Sequence, residues 1–100
     1  MTARLVVRVA AEADITGAVL WYEQRASGLG QEFLRAVDIT LGEIAEMPER
    51  FPLVHDEARR ALLRRLPYAV YFVATAEVIS IVACMHARRD PLRWVERVDG

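Results

Sequence analysis

The sequence contains no lysine and no asparagine, so all 13 of its basic residues are arginines. Asp and Glu together number 14, and the formal net charge of the 100-residue chain is −1. A chain with so little net charge has no global basic field, which argues against a general nucleic-acid binder. Any contact with a polyanion must therefore depend on a local group of arginines.

Arginines are also unevenly distributed along the chain. Residues 1–57 contain five arginines and ten Asp or Glu residues, a net charge of −5. Residues 58–100 contain eight arginines and four Asp or Glu residues, a net charge of +4. We therefore expect an anion or an acidic partner to bind the C-terminal part.

Cysteine occurs once, as Cys84, which excludes an intrachain disulfide and argues against a zinc cluster. The sequence has no run of 18 apolar residues, so we predict no membrane-spanning helix and no membrane partner. Arg8, Glu12 and Asp14 interrupt the first 21 residues, which argues against a signal peptide and favours the cytoplasm. The GxGxxG, Walker A, HExxH and GxSxG motifs are absent as well. We expect no cofactor and no metal ion.

The N-terminal half predicts one strand and two helices. Residues 4–9 are rich in valine and predict a half-exposed strand. Apolar residues recur at helical spacing over 11–25 and again over 29–46, where Phe33, Val37, Leu41 and Ile44 form a stripe. Gly28 can adopt the left-handed conformation that ends a helix. Two amphipathic helices joined by so few residues predict an antiparallel hairpin.

The C-terminal half predicts three strands after a loop at 49–58. They cover residues 60–66, 68–75 and 78–85, and the last two are apolar on both faces, as in the middle of a covered sheet. Strict alternation in the last strand places Ile79, Ile81 and Ala83 opposite Val78, Val82 and Cys84. Asp90 as N-cap and Pro91 as the first helical residue predict a short terminal helix.

These elements predict a single α+β domain over residues 1–100. Its N-terminal strand is followed by an antiparallel two-helix hairpin, which packs on an antiparallel sheet of about four strands. The order is β-α-α-β-β-β with a short C-terminal helix. Helices grouped before a run of strands are typical of this layered architecture.

A series of short motifs extends over nearly the whole chain. The series is ADI at 13–15, WYE at 21–23, GLG at 28–30, FL at 33–34, Ile44, Pro48, FP at 51–52, RALLRRLPYAVYF at 60–72, and the segment from His86 through Arg89, Asp90 and Pro91 to Trp94 and Arg97. In this order the motifs resemble the RelE/ParE superfamily of bacterial type II toxin–antitoxin toxins. No single motif is specific, and the resemblance depends on the series.

The resemblance implies a small toxin that a cognate antitoxin neutralises. RelE-like members of the superfamily cleave mRNA on the ribosome, whereas ParE-like members inhibit DNA gyrase without a chemical step of their own. A non-toxic homologue that only binds an antitoxin is a third alternative. The resemblance implies that a RelE-like nuclease would typically carry several lysines, a strongly basic surface and often a tyrosine near the C-terminus. This sequence has no lysine, a near-zero net charge and no tyrosine after Tyr71, and these departures favour a ParE-like toxin.

A metal-free nuclease would need a base, an acid and a cation on the phosphate. The candidates in this sequence are His86 for proton transfer, either Arg64 and Arg65 or Arg88 and Arg89 for the phosphate, and Tyr68 or Tyr71 nearby. The alternative for His86 is that it ends a buried strand and hydrogen-bonds a neighbour.

Binding of the antitoxin or the target would use exposed arginines and tryptophans. The candidates are Arg59, Arg60, Arg64, Arg65, Arg88, Arg89, Arg93, Trp94, Arg97 and Trp21. Alternation along the strand places Arg60 and Arg64 on one face and Arg59 and Arg65 on the other. Each pair can equally form salt bridges within the chain, for example with Glu43 and Glu46 of the second helix. For Arg93 and Arg97 the local alternatives are Asp90 and Glu96.

The resemblance also implies the kind of partner. An antitoxin of this class has a disordered tail that folds on binding, and we expect an acidic or amphipathic tail whose carboxylates meet the arginines.

Overall fold

The computed structural model describes residues 3–88 and 93–99. Its elements are, in chain order, β1 (Arg4–Val7), α1 (Val9–Arg25), α2 (Leu29–Glu46), β2 (Leu53–His55), β3 (Ala58–Leu62), β4 (Tyr68–Ala74), β5 (Val78–His86) and α3 (Arg93–Asp99), with one turn of 3₁₀-helix at Pro48–Arg50. None of the helices in this part of the chain is long and apolar enough to cross a bilayer. Arg89, Asp90 and Pro91, and with them the predicted cap of the terminal helix, lie outside the described residues.

The strands form one sheet in the order β1-β5-β4-β3-β2. The α1–α2 hairpin packs on one face of this sheet, and α3 packs on the other. The predicted α+β class and the helical hairpin are confirmed. Two details are wrong: the sheet has five strands, and β1 pairs with β5 in parallel, so the sheet is mixed. A parallel pair needs a long crossover, which the hairpin and the intervening strands provide.

The additional strand β2 lies in the segment that we predicted to be a loop. It pairs with β3 through Leu53 with Arg59 and His55 with Ala58. Asp56 occupies the turn between them with φ of 49°, a left-handed conformation that aspartate tolerates better than most residues. A strand of three residues is too short to show a period in the sequence, which explains why the prediction missed it.

The helices agree closely with the sequence pattern. The predicted bounds of α2 are confirmed, whereas α1 begins at Val9 and β1 ends at Val7, two residues earlier than predicted in each case. Between the helices, Gly28 has φ of 94° and stands at the N-terminus of α2. A carboxylate oxygen of Glu23 in α1 accepts the backbone N–H groups of Gly28 and Gly30, at 3.1 and 3.0 Å. This contact satisfies two of the N–H groups that a helix N-terminus leaves open.

The α1–α2 hairpin is closely packed at Gly30. A Cβ atom at this position would lie 2.9 Å from the Val19 carbonyl oxygen. The main core lies between the hairpin and the sheet, where Phe33, Phe72 and Ile79 are fully buried. Burial of such side chains stabilises the fold by about 1.5–3 kcal/mol each.

Strand β3 is shorter than predicted and begins earlier, at Ala58 instead of residue 60. It ends at Leu62, and Arg65 in the following turn has φ of 67°, which no strand residue adopts. The predicted alternation therefore stops before Arg64, and the prediction that Arg64 and Arg65 lie on opposite faces of a strand is wrong.

A β-bulge in β5 reverses the face of the sheet to which the residues after the bulge point. Tyr71 pairs with Ala83 and Phe72 with Ile81, which leaves Val82 as the extra residue. Val82 and Ala83 both pack on the α3 side, whereas Cys84 packs with Ile81 on the hairpin side. The predicted facing of Ala83 and Cys84 is therefore wrong, because a bulge inverts the alternation beyond it.

Candidate functional site

One cleft lies between α1 and the C-terminal end of β5 and has a volume of about 390 Å³. We call it the aromatic cleft because most of its large side chains are rings. Its lining includes Trp21, Tyr22, Tyr68, His86, Asp14 and Arg93.

Tyr68 and His86 are neighbours in this cleft because they pair in register between β4 and β5. Their ring centroids are 5.6 Å apart, and Tyr68 also contacts Phe33 edge to face at 5.1 Å. The Arg88 backbone N–H donates to His86 Nδ1 at 3.2 Å. This bond uses Nδ1 as an acceptor and favours the tautomer with the proton on Nε2. The hydrogen bond to a neighbour agrees with the alternative that we gave for His86.

Asp14 lines the aromatic cleft and connects α1 to β5 and α3 by hydrogen bonds. Its Oδ2 accepts the Cys84 backbone N–H at 3.0 Å and Arg97 Nη1 at 2.6 Å, and its Oδ1 accepts Arg97 Nη2 at 3.2 Å. Arg97 Nη1 also donates to the Val82 carbonyl oxygen at 3.1 Å. β1 ends opposite Ile81, so Asp14 and Arg97 bond the polar backbone of β5 where its parallel neighbour is no longer present.

The pKa values of Arg97 and Cys84 are both raised in this region. The hydrogen bonds to Asp14 raise the pKa of Arg97 above its ordinary value. Burial, with the charge of Asp14 as a smaller cause, raises the pKa of the Cys84 thiol to about 12. Cys84 therefore stays protonated at neutral pH, which makes it a poor nucleophile. Arg97, a candidate for partner binding, is engaged inside the protein, where it donates to Asp14 and to the Val82 carbonyl oxygen; Asp90, one of its two predicted local partners, lies outside the described residues.

Trp94 anchors α3 to the sheet. Its ring stacks on Tyr71 with centroids 4.4 Å apart and planes 11° apart, and only 6% of Trp94 is exposed. His55 contacts the same ring edge to face at 6.0 Å. Burial raises the pKa of Tyr71, while the charge of Arg60 and its hydrogen bond to Tyr71 partly oppose that shift. Trp94 thus serves the packing of α3 in this structure.

A second cleft lies between α2 and the turn after β3 and has a volume of about 410 Å³. We call it the arginine cleft, and its lining includes Arg35, Arg64, Arg65, Ile39, Leu66 and Glu32. Arg64 Nη2 donates to Glu43 Oε2 at 3.0 Å, which confirms Glu43 as a partner within the chain. The same carboxylate oxygen lies 3.7 Å from Arg50 Nη2.

Of the remaining candidates, Arg59 and Arg60 lie next to each other in β3 and differ in their contacts. Arg59 Nη1 donates to the carbonyl oxygens of Phe51 at 2.6 Å and Glu49 at 3.3 Å, so it holds the segment before β2. Arg60 Nε is buried without a hydrogen-bond partner among the described residues. Arg88 is exposed, and Arg89 lies outside the described residues.

Trp21 is the most exposed aromatic side chain of the aromatic cleft. It is 40% exposed, contacts Tyr22 edge to face at 5.0 Å, and carries the Arg25 guanidinium 4.2 Å above its ring. Its exposure agrees with the expectation that Trp21 is among the exposed residues of the chain.

The structure thus separates His86 and Tyr68 from two of the candidate arginines. Tyr68 and His86 line the aromatic cleft, whereas Arg64 and Arg65 line the arginine cleft. Arg88, whose backbone N–H bonds His86, is not among the lining residues of either cleft. Among residues 3–88 and 93–99, no group of three His, Cys, Asp or Glu side chains is placed to hold a metal ion.

Sequence reasoning missed Asp14 and Arg35. The helical spacing offered a signal for Asp14, since it stands three residues after Ala11 and four before Ala18, both buried. A carboxylate beside an apolar stripe indicates a buried partner. Arg35 has no comparable signal, because α2 places it on a solvent-facing side and only the turn after β3 makes that side a cleft.

The sequence matches no model of a known protein family and no curated protein. Among solved structures, it is similar to a chain of the "Chromosomal ParDE TA system from P. aeruginosa". The TM-score is 0.72 at 15% sequence identity, and the similarity covers 85% of this chain and 96% of that chain. Similarity at this identity establishes a common architecture, so the chain has the fold of that ParDE chain.

Proposed function

We propose that this chain is the toxin of a type II toxin–antitoxin module, a single domain that acts in the cytoplasm and is neutralised by a cognate antitoxin. Two independent observations support this function. The motif series of the sequence resembles RelE/ParE toxins, and the fold is that of a chain from a ParDE system.

DNA gyrase is the target that we propose, with inhibition by contact and without a chemical step. The observation that carries this choice is the separation of Tyr68 and His86 from Arg64 and Arg65 in two clefts. Metal-free RNA cleavage needs its proton-transfer groups and its phosphate-binding cation around one phosphate, within hydrogen-bond reach. Arg64 is moreover paired with Glu43, and the whole chain carries a net charge of −1.

A RelE-like, ribosome-dependent mRNA endonuclease is the second candidate function. One observation favours it: the aromatic cleft contains Tyr68, His86 and Arg93 together. These residues offer proton transfer and a cation in one place, although Arg93 was not among the cations that we proposed for the phosphate.

Expression of the chain without an antitoxin tests these functions against one another. We expect growth arrest with an SOS response and altered plasmid supercoiling, while transcripts stay intact. Rapid codon-linked cleavage of mRNA on ribosomes would contradict the gyrase proposal and support the nuclease. A chain that fails to arrest growth would instead be a non-toxic homologue that binds an antitoxin.

His86→Ala adds a test of the aromatic cleft, with His55→Ala as the matched control because it removes the other histidine of the chain. For a gyrase inhibitor we expect both variants to stay toxic at equal expression. Loss of toxicity in His86→Ala alone, with the variant still folded by circular dichroism, would favour the nuclease.

A further inference from the structure

The arginine cleft is lined by both apolar and cationic side chains. Ile39 and Leu66 contribute apolar surface, and Ile39 is 53% exposed. Arg35 on α2 and Arg64 and Arg65 on the turn after β3 line the same cleft. A complementary ligand would present apolar side chains to Ile39 and Leu66 and carboxylates to the arginines.

The charged residues that line this cleft are mostly cationic, although α2 belongs to the acidic part of the sequence. The cleft lining includes three arginines and one carboxylate, Glu32, whereas residues 1–57, which contain α2, carry a net charge of −5. The side chain of Arg64 is 77% exposed, so its guanidinium is accessible even while it pairs with Glu43. A local positive field of this kind attracts an acidic segment and disfavours a basic one.

The backbone conformation of Arg65 is a second observation that favours binding at the arginine cleft. Its φ of 67° is a left-handed conformation that costs a side chain with a Cβ atom free energy, and glycine or asparagine adopts it more easily. Residues held in such conformations cluster where a side chain is needed for binding. Arg65 in this conformation lines the cleft together with Arg35 of α2.

We propose that the arginine cleft binds an acidic amphipathic segment of a partner polypeptide. Apolar side chains of that segment pack on Ile39 and Leu66, and its carboxylates pair with Arg35, Arg64 and Arg65. Identification of this partner as the antitoxin rests on the proposed function, whereas the chemistry of the cleft does not.

Fluorescence anisotropy with the full chain and two labelled synthetic peptides tests this assignment. In the first peptide, leucines at positions i, i+4 and i+7 are separated by glutamates; in its twin, lysine replaces every glutamate. We expect the acidic peptide to bind, the twin to bind at least about tenfold more weakly, and the affinity to fall with rising salt.

Arg65→Asn is the decisive variant, because asparagine keeps the left-handed backbone and removes the guanidinium. We expect its thermal midpoint to be at or above that of the parent chain and its affinity for the acidic peptide to be about three- to fivefold lower. Arg64→Gln should weaken binding similarly and keeps the test valid if Arg65→Asn does not fold. Arg4→Gln, an equal charge change on exposed β1, is the matched control and should leave the affinity unchanged.

Several results would overturn the assignment. They are absence of binding, equal binding of the two peptides, or equal weakening by Arg4→Gln and Arg65→Asn. A chain that arrests growth but fails these tests would refute the cleft and leave the proposed toxin function intact. A chain that passes them without arresting growth would refute the toxin function and leave the cleft. If both hold, the product of the adjacent antitoxin gene should displace the acidic peptide.

Discussion

Asp14 offers the strongest test of how this fold is held together. Asp14→Ala removes the acceptor of three hydrogen bonds, two from the Arg97 guanidinium and one from the Cys84 backbone N–H. The variant leaves Arg97 as a partly buried cation without its anion and leaves an N–H of β5 without its acceptor. Both losses occur at one point that joins α1, β5 and α3.

The expected loss in the free energy of unfolding follows from the burial of the Asp14–Arg97 ion pair. Removal of one partner of a buried ion pair costs about 3–5 kcal/mol. The side chains of Asp14 and Arg97 are 15% and 25% exposed, so water replaces part of the loss and we expect about 3 kcal/mol. That is a large part of the roughly 5–15 kcal/mol by which such domains are stable. In urea it corresponds to a decrease of about 2 M in the unfolding midpoint.

Urea unfolding followed by far-UV circular dichroism at pH 7 measures this effect. Glu43→Gln is the control, because it breaks a pair with the 77% exposed side chain of Arg64 and should cost less than about 1 kcal/mol. The double variant Asp14→Ala with Arg97→Met should cost about 1–3 kcal/mol less than the two single costs together. An Asp14→Ala cost no greater than that of Glu43→Gln, or strict additivity in the double variant, would refute the reasoning.

Three further predictions concern packing and ionisation. Trp94→Ala should lower the free energy of unfolding by about 3 kcal/mol and selectively expose α3 to proteolysis; unchanged protection of α3 would contradict the stacking role. Gly30→Ala should cost about 1–3 kcal/mol because its Cβ meets the Val19 carbonyl, whereas Gly42→Ala, with nothing within 4 Å, should be neutral or stabilising; equal urea midpoints would contradict this. The pKa of Cys84 is raised to about 12 from an ordinary 9.0, so the unfolded chain loses its thiol proton at lower pH than the folded chain does. The contribution of Cys84 to the free energy of unfolding is therefore constant below pH 9 and falls by up to about 1.4 kcal/mol per pH unit between pH 9 and 12. Urea midpoints at pH 8 and 10.5 should show this decline in the parent chain and a smaller one in Cys84→Ala.

Much of the fold follows from local sequence. The bounds of α2 are predicted correctly because Gly28 and Pro48 flank a clear apolar stripe. Strands β4 and β5 are predicted within one residue because both are buried on two faces and rich in β-branched or aromatic side chains. In contrast, β2 and the turn at Arg65 have no periodic signal of their own.

The sequence predicted the fold more completely than it predicted the candidate site. Local spacing indicated Trp21 as partly exposed, and the structure agrees. It could not indicate that Trp94 stacks on Tyr71, because that contact exists only once α3 packs on the far face of the sheet. Arg64 and Arg65 come together in one cleft because β3 ends at Leu62, a boundary that strict alternation in the sequence conceals.

The sequence by itself determined the α+β class, the helical hairpin and the separation of an acidic N-terminal part from an arginine-rich C-terminal part, because periodicity and charge are properties of neighbouring residues. Only the tertiary structure decided which arginines remain available to a partner. Arg97 is held by Asp14, 83 positions earlier in the chain, since a β-bulge and the end of β1 leave backbone groups of β5 that need acceptors and donors. Arg65 lines a cleft because its turn lies beside α2.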